Sequence, residues 1–311
     1  MKILILGGTG YIGSELFFCL KNNKEIEVVD TVDLEWFGNY TNTNNIREDF
    51  SKLPRFFYKG YDIIILLAGH SSVQMCEKNP IGSFNNNVRN FVNLLPLLEG
   101  KKLIYASSSS VYGNIDLKEA TEDCLSYNPN NYYDLTKSEI DNYAKLSGVE
   151  YYGLRFGTVN GPSPNLRTDI MINAMFETAK TQGKLKISNP GIYRPILSIM
   201  DLCKAIVKII ETKDNKYGTY NLASFNSTVD RIAGEVSNAL NVPIEYIDSP
   251  AFTIEKGKLQ SRAYDFSIDC SKFKNNFSFE FQGSIANIVD SLKESWGKCI
   301  HTKRNNQIHY L

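Results

Sequence analysis

The apolar run KILIL is followed at once by GGTGYIG, after which the chain turns amphipathic as SELFFCLKNN. Glycines recur at Gly7, Gly10 and Gly13. That spacing, between a strand and a helix, lets the backbone turn sharply and approach a pyrophosphate on the helix N-terminus. Gly7, Gly10, Tyr11, Ile12 and Gly13 are therefore candidate cofactor residues. A second apolar run, IEVVD, ends at Asp30, 20 residues after Gly10. An acid there binds a ribose 2′-hydroxyl and repels a 2′-phosphate, which points to NAD over NADP. Asp33 competes for the same role.

The first half keeps a strict rhythm. DIIILLAG, KLIYASS and VEYYGLRF are further apolar runs, each separated from the next by an amphipathic stretch, one from about Pro80 to Leu98 and one as YYDLTKSEIDNYAKLSG. TNTNNIRED reads as a loop entering a short strand. Continuous β-branched runs alternating with helices imply a parallel sheet covered on both faces. The expected fold class is α/β, a Rossmann-type doubly wound parallel sheet with a smaller mixed C-terminal substrate domain. The expected boundaries are 1–160 for the cofactor domain, with a return near 197–225, and 161–196 with 226–311 for the substrate domain.

Lys plus Arg equals Asp plus Glu at 34 each, so no charge excess favours nucleic acid or a membrane surface. Six cysteines lack any CxxC spacing and read as free thiols of a reducing compartment. No metal site is expected. The start is too short and glycine-rich for a signal peptide, and no apolar run approaches the roughly 20 residues of a membrane helix. A cytoplasmic protein is expected.

Four serines, Ser107 to Ser110, close the run LIYA, and Tyr133 stands four residues before Lys137. Four residues is about one helical turn, so the two side chains share a face. A free phenol ionises near pH 10 and is a poor base at neutral pH. A lysine cation and a positive nicotinamide ring favour the phenolate, which can take a hydroxyl proton while carbon gives hydride to NAD. A serine hydroxyl holds the same substrate oxygen and supports the developing carbonyl.

With these motifs the chain resembles the extended short-chain dehydrogenase/reductase family, the NAD-dependent nucleotide-sugar epimerases and dehydratases of the UDP-galactose 4-epimerase-like type, over nearly its whole length. The resemblance implies a catalytic serine three residues before the Val111-Tyr112 pair, which is Ser108, with Tyr133 and Lys137 completing the set. It places Ser107 in the nicotinamide pocket together with Phe156 of LRFGTVNGP. It implies cofactor contacts from Leu67, Ala68 and Gly69 of LLAG, from Asp49 and Phe50 near the adenine, and from Asn87 of the Asn-Val element. The usual Gly-Thr after that element is replaced by Asn90-Phe91. IYRPILSIMDL and SRAYDFSID resemble the family's diphosphate-binding elements, with Arg194 and Arg262 as ligands; an arginine fork suits phosphate oxygens. Ser109 and Thr158 are the remaining substrate candidates, Thr158 standing where many relatives have Asn.

Family dehydratases carry an acid one or two residues after the catalytic Ser or Thr, where this chain has Ser109 and Ser110. The resemblance therefore argues against dehydration, and likewise against decarboxylation and 3,5-epimerisation. It leaves oxidation and reduction at C4 of a nucleoside-diphosphate sugar, as a 4-epimerase or a 4-dehydrogenase. The alternatives are a 4-ketoreductase, a non-catalytic NAD-binding protein, and an enzyme of steroid or flavonoid type, which Asp30 disfavours. A homodimer formed through helices near 85–98 and 133–147 is expected.

Overall fold

The computed structural model describes residues 1–41, 44–113, 119–124, 129–247, 252–255, 258–261 and 264–302. Arg262 lies outside the described residues. Six strands come first: β1 (Lys2–Leu6), β2 (Val28–Val32), β3 (Asn45–Ile46), β4 (Ile63–Leu66), β5 (Lys102–Ser108) and β6 (Glu150–Phe156). They are followed by β7 (Thr158–Asn160), β8 (Tyr193–Ser198), β9 (Gly218–Leu222) and β10 (Phe225–Thr228). Seven strands form one sheet in the order β9-β6-β5-β4-β1-β2-β3, and every pairing in it is parallel.

The alternation along each strand builds two layers. Ile3 and Ile5 join one core, Leu4 and Leu6 the other; Ile63 and Ile65 part in the same way from Ile64 and Leu66. Successive strand side chains point to opposite faces, so a strand covered on both sides must be apolar throughout. The longer helices are α1 (Tyr11–Lys21), α2 (Tyr132–Leu146), α3 (Met171–Gln182), α4 (Ile199–Glu211), α5 (Val229–Leu240) and α6 (Ile285–Ser295). α4 buries Ile199, Leu202, Cys203, Ile206, Ile209 and Ile210, a stripe at helical spacing, and returns the chain to the edge of the large sheet as β9.

The stretch expected as one helix from Pro80 to Leu98 is helical but irregular. A turn at Pro80–Ser83 passes into a π-helical segment, Phe84–Arg89, then Asn90–Leu94 and a 3₁₀ turn at Leu95–Leu97. In the smaller C-terminal region β8 pairs with β7 in parallel and with β10 antiparallel, while α3, α5 and α6 pack on the core formed with α1 and α4. All six cysteines are free. Among the described residues no helix is long and apolar enough to cross a membrane.

Candidate active site

β1 has β2 on one side and β4 on the other, so the connections leaving its carboxyl end diverge and open a crevice there. A cavity of about 750 Å³ occupies it. Its floor is the glycine turn. Gly7 holds φ +91°, and a Cβ at that position would lie 2.4 Å from the Ala68 amide nitrogen. A Cβ on Gly13 would lie 2.2 Å from the Gly7 carbonyl oxygen, so only glycine lets α1 start this close to β1. Gly10 caps α1 without a side-chain hydrogen bond, which leaves the first-turn amides uncapped by any side chain and favourable to an anion. Tyr11, Ile12, Leu67, Ala68 and Gly69 line the same floor.

The structure moves the acidic residue. β2 does not end at Asp30; it runs to Val32, and Asp30 sits opposite Leu4 inside the ladder. Its carboxylate accepts a hydrogen bond from the Tyr61 hydroxyl at 2.8 Å, away from the large cavity. Asp33, the first residue past the strand, lines the cavity instead. Its Oδ2 accepts the Thr9 amide at 3.2 Å and its Oδ1 the Glu35 amide at 2.8 Å, which fixes the carboxylate beside the glycine turn. Asp49 and Phe50 reach the wall as expected. Asn87 does not. Its Oδ1 accepts the His70 amide at 2.8 Å, and its Nδ2 donates to the His70 carbonyl and to Thr136 Oγ1, each at 3.1 Å. Asn87 therefore ties the loop after β4 to α2, while its neighbour Asn86 lines the cavity with a buried Oδ1 that has no partner.

Ser107, Ser108, Tyr133 and Lys137 meet on one wall. Ser108 ends β5, and its Oγ accepts the Ser110 amide at 3.2 Å and lies 2.8 Å from Ser110 Oγ. Lys137 Nζ donates to the Ala106 carbonyl at 2.6 Å and lies 5.8 Å from the centre of the Tyr133 ring. Burial pushes the Tyr133 phenol up to about 12, while a hydrogen bond with Ser108 and the charge of Arg167 draw it back and Asp134 raises it further. Burial draws Lys137 down to about 8. At neutral pH the free protein thus holds a neutral phenol beside a lysine that is still mostly an ammonium.

Behind this wall lies a buried polar chain. Asp141, two turns along α2 from Tyr133, accepts hydrogen bonds from Ser107 Oγ at 3.0 Å, Tyr105 Oη at 2.9 Å and Arg155 Nε at 2.9 Å. Arg155 also donates to Tyr112 Oη, which donates to Asn221. These contacts fix β5, β6, β9 and α2 to one another beneath the reacting groups.

Phe156, Thr158 and Ser109 line the cavity, and so does Arg194. Arg194 is half-buried; one amino group donates to the Tyr264 carbonyl at 3.1 Å, and its buried Nε has no hydrogen-bond partner. A desolvated arginine with an unspent donor suits a phosphate oxygen. Trp36, Phe37, His70, Ser71, Arg167, Asp169 and Tyr264 also face the cavity and were not among the expected residues. Arg167 grips Asp169 through two hydrogen bonds, at 2.9 and 3.1 Å, on β-structure that follows a loop. No local spacing marks these residues; they arrive by tertiary folding. The glycine cradle, the Asp33 carboxylate beside it and the Ser-Tyr-Lys wall together fit a dinucleotide lying across the crevice.

The model of the NAD dependent epimerase/dehydratase family matches residues 3–223. Protein CapI of Staphylococcus aureus is 28% identical over 235 residues, which are 68% of this chain and 70% of that protein. The UDP-glucose 4-epimerase of Halalkalibacterium halodurans is 26% identical over 256 residues, 72% of this chain and 75% of that one. The structure of UDP-glucuronic acid 4-epimerase from Bacillus cereus, in complex with UDP-glucuronic acid and NAD, shares the fold at a TM-score of 0.80 and 22% identity, over 94% of this chain and 99% of that one.

Proposed function

The chain belongs to the NAD dependent epimerase/dehydratase family, and from that premise we propose that it is a 4-epimerase of a nucleoside diphosphate sugar, with a UDP-sugar as substrate. The observation that carries this reading is the convergence of Ser108, Tyr133 and Lys137 on one cavity wall, with hydroxyls and no acid at positions 109 and 110. The curated relatives support it, since several are 4-epimerases of UDP-sugars.

NAD, when bound, would supply the hydride acceptor and donor for C4. Gly7, Gly10, Gly13 and the first-turn amides of α1 would hold its pyrophosphate, and Asp33 a ribose hydroxyl. The protein's own groups move the proton. Tyr133 Oη, as phenolate, accepts the proton of the sugar 4-hydroxyl, and Lys137 and Arg167 favour that charge. The Ser108 hydroxyl donates to O4 as it becomes a carbonyl. Arg194 holds the diphosphate while the sugar turns to present its other face. Without an acid on the wall at Ser109 and Ser110, the 4-keto sugar has no direct proton donor for loss of a neighbouring hydroxyl.

The test is to incubate the protein and NAD with UDP-glucose, UDP-N-acetylglucosamine and UDP-glucuronate, following NADH absorbance and the products by NMR. A C4-inverted sugar without net NADH is expected. A released 4-keto sugar with stoichiometric NADH would replace the epimerase by a dehydrogenase. Tyr133→Phe should keep NAD binding by calorimetry and lose about 10²- to 10⁴-fold in turnover, the usual contribution of a general base.

A further inference from the structure

The carboxylate beside the glycine turn is held there by a residue from the second half of the chain. Asp33 Oδ2 accepts the Thr9 amide at 3.2 Å. The Thr9 carbonyl, at the other end of the same residue, accepts Asn165 Nδ2 at 3.0 Å. That nitrogen also donates to the Phe37 carbonyl at 3.3 Å. Asp33, Leu34, Trp36 and Phe37 line the cavity. One side-chain amide therefore ties the glycine turn to the far end of the loop that carries the acid. The contacts close a ring, from Asn165 to Thr9 to Asp33, along the loop to Phe37, and back to Asn165.

Chemistry and strand geometry both fix this amide. Asn165 has no solvent exposure. Its two partners are main-chain carbonyls, so only the nitrogen can face them and the amide cannot be turned over. Asn165 opens the short strand Asn165–Arg167, which pairs in parallel with Ile300–Thr302. The Ile300 amide donates to the Pro164 carbonyl at 3.0 Å and secures the entry to that strand. Side chains alternate along it: Leu166 enters the core, while Asn165 and Arg167 share the other face. Arg167 uses that face to reach the Ser71 carbonyl at 3.3 Å, on the loop after β4. The loop after β2 needs such support. Glu35 holds φ +56°, a left-handed conformation that a residue with a Cβ keeps only when its surroundings impose it. Asn45 ties the near end of the loop, donating to the Asp33 carbonyl and to Glu35 Oε1, each at 3.1 Å. Asn165 ties the far end.

We propose that Asn165 is a positioning residue for cofactor selection: by fixing Thr9 and Phe37 it sets where the Asp33 carboxylate stands, and with it the preference for NAD over NADP. A carboxylate held beside the glycine turn accepts a ribose 2′-hydroxyl and repels a 2′-phosphate. With the ring open, the loop and its carboxylate can move away from the turn. NAD then loses a hydrogen bond while NADP is relieved of a repulsion, so the two affinities converge. An aspartate at position 165 would set oxygen against both carbonyls and drive the loop away. The proposal rests on NAD in this cavity and on Asp33 as its ribose acid, not on the 4-epimerase reading. Its measurements need no sugar, so failure of the one is read apart from failure of the other.

Fluorescence titration of the full chain with NAD and with NADP measures the ratio of the two dissociation constants. Asn165→Ala should narrow the preference for NAD about tenfold, the order of one hydrogen bond to a charged group. Asn165→Asp, nearly the same size and unable to donate when ionised, should narrow it at least as much. The ratio separates positioning from general loosening, because a protein that is merely less stable binds both dinucleotides less. Asn226→Ala removes two hydrogen bonds to the Ile268 main chain at a residue that does not line the cavity. It should lower the melting temperature and leave the ratio unchanged. Asp33→Asn alone should narrow the ratio, and adding Asn165→Ala should narrow it no further, since both act through one carboxylate. Should Asn165→Ala fail to fold, Asn165→Ser, which keeps one donor, should narrow the ratio by a smaller factor. A ratio unchanged in the Asn165 variants would overturn the proposal. So would additive effects of Asn165→Ala and Asp33→Asn, which would give Asn165 a route to the cofactor that bypasses the acid. Asp33→Asn without effect would overturn it together with the role of Asp33.

Discussion

Lys137 is asked for opposite things by folding and by catalysis. The fold buries it and draws its pKa from 10.5 to about 8, while the reaction wants it charged beside Tyr133. A group whose folded pKa is depressed in this way binds fewer protons folded than unfolded. Stability therefore rises with pH between about 8 and 10.5, and below that window the buried charge is a full penalty. Lys137→Met should lose turnover yet gain stability at pH 7, on the order of 1–3 kcal/mol after the lost Ala106 hydrogen bond is counted. Urea melts at pH 7 and pH 10 check it, and an advantage that does not shrink at the higher pH would contradict the assignment. The Ser-Tyr-Lys set was legible because a spacing of four on a helix is local information. Which of two acids, Asp30 or its competitor Asp33, faces the cavity was not. Asp30 and Asp33 differ in role because β2 runs two residues past Asp30, and the length of a strand is set by its partner β1, not by its own residues. Asp33→Asn should accordingly weaken NAD and narrow its advantage over NADP, while Asp30→Asn leaves both affinities unchanged in fluorescence titrations.

At the scale of elements, the strands and helices of the first half followed from apolar runs and amphipathic periods, and the glycine turn placed β1 against α1 in advance. What periodicity missed is how elements are pinned. Three asparagines, Asn85 to Asn87, fall in the π-helical segment, where the wider turn sends Asn87 back to the His70 loop and Asn86 to the cavity. The Arg155–Asp141 pair is equally silent in the sequence, since its members are brought together by packing of β6 on α2. Both side chains are buried, at 2% and 4% exposure. Removing one partner strands a charge with no water to receive it. Asp141→Ala should cost about 3–5 kcal/mol of stability, read from the shift in urea midpoint, and should loosen Ser107 in the cavity wall. Replacing both, Asp141→Leu with Arg155→Met, should recover most of that loss if the cost is the orphaned charge; equal damage in the double variant would assign it to the polar chain through Tyr112 and Asn221.

At the scale of the whole molecule, the chain keeps apolar side chains in water on the side opposite its reacting wall. Tyr132, Leu135, Tyr143 and Leu146 recur along α2 at spacings of three and eleven residues, which bring them to one face. Leu146 is 85% exposed, and Ile81 and Phe84, on the neighbouring helical stretch, are 78% and 54% exposed. Scattered surface apolar residues need no explanation, but a contiguous set on two packed helices signals a surface that another protein covers. The family resemblance assigns a dimer contact to helices near 85–98 and 133–147, which adjoin Ile81 and Phe84 and include Leu135, Tyr143 and Leu146, and a two-fold interface lets one such patch satisfy its own copy. Sedimentation equilibrium at micromolar concentration should therefore return twice the chain mass, and Leu135→Glu with Leu146→Glu should return it to one. Because the other face of the same helix carries Tyr133 and Lys137, the monomeric variant should also lose thermal stability around the site, with NAD raising its melting temperature less than it raises that of wild type. A wild type that sediments as a monomer would remove the dimer and leave the exposed stripe without this explanation.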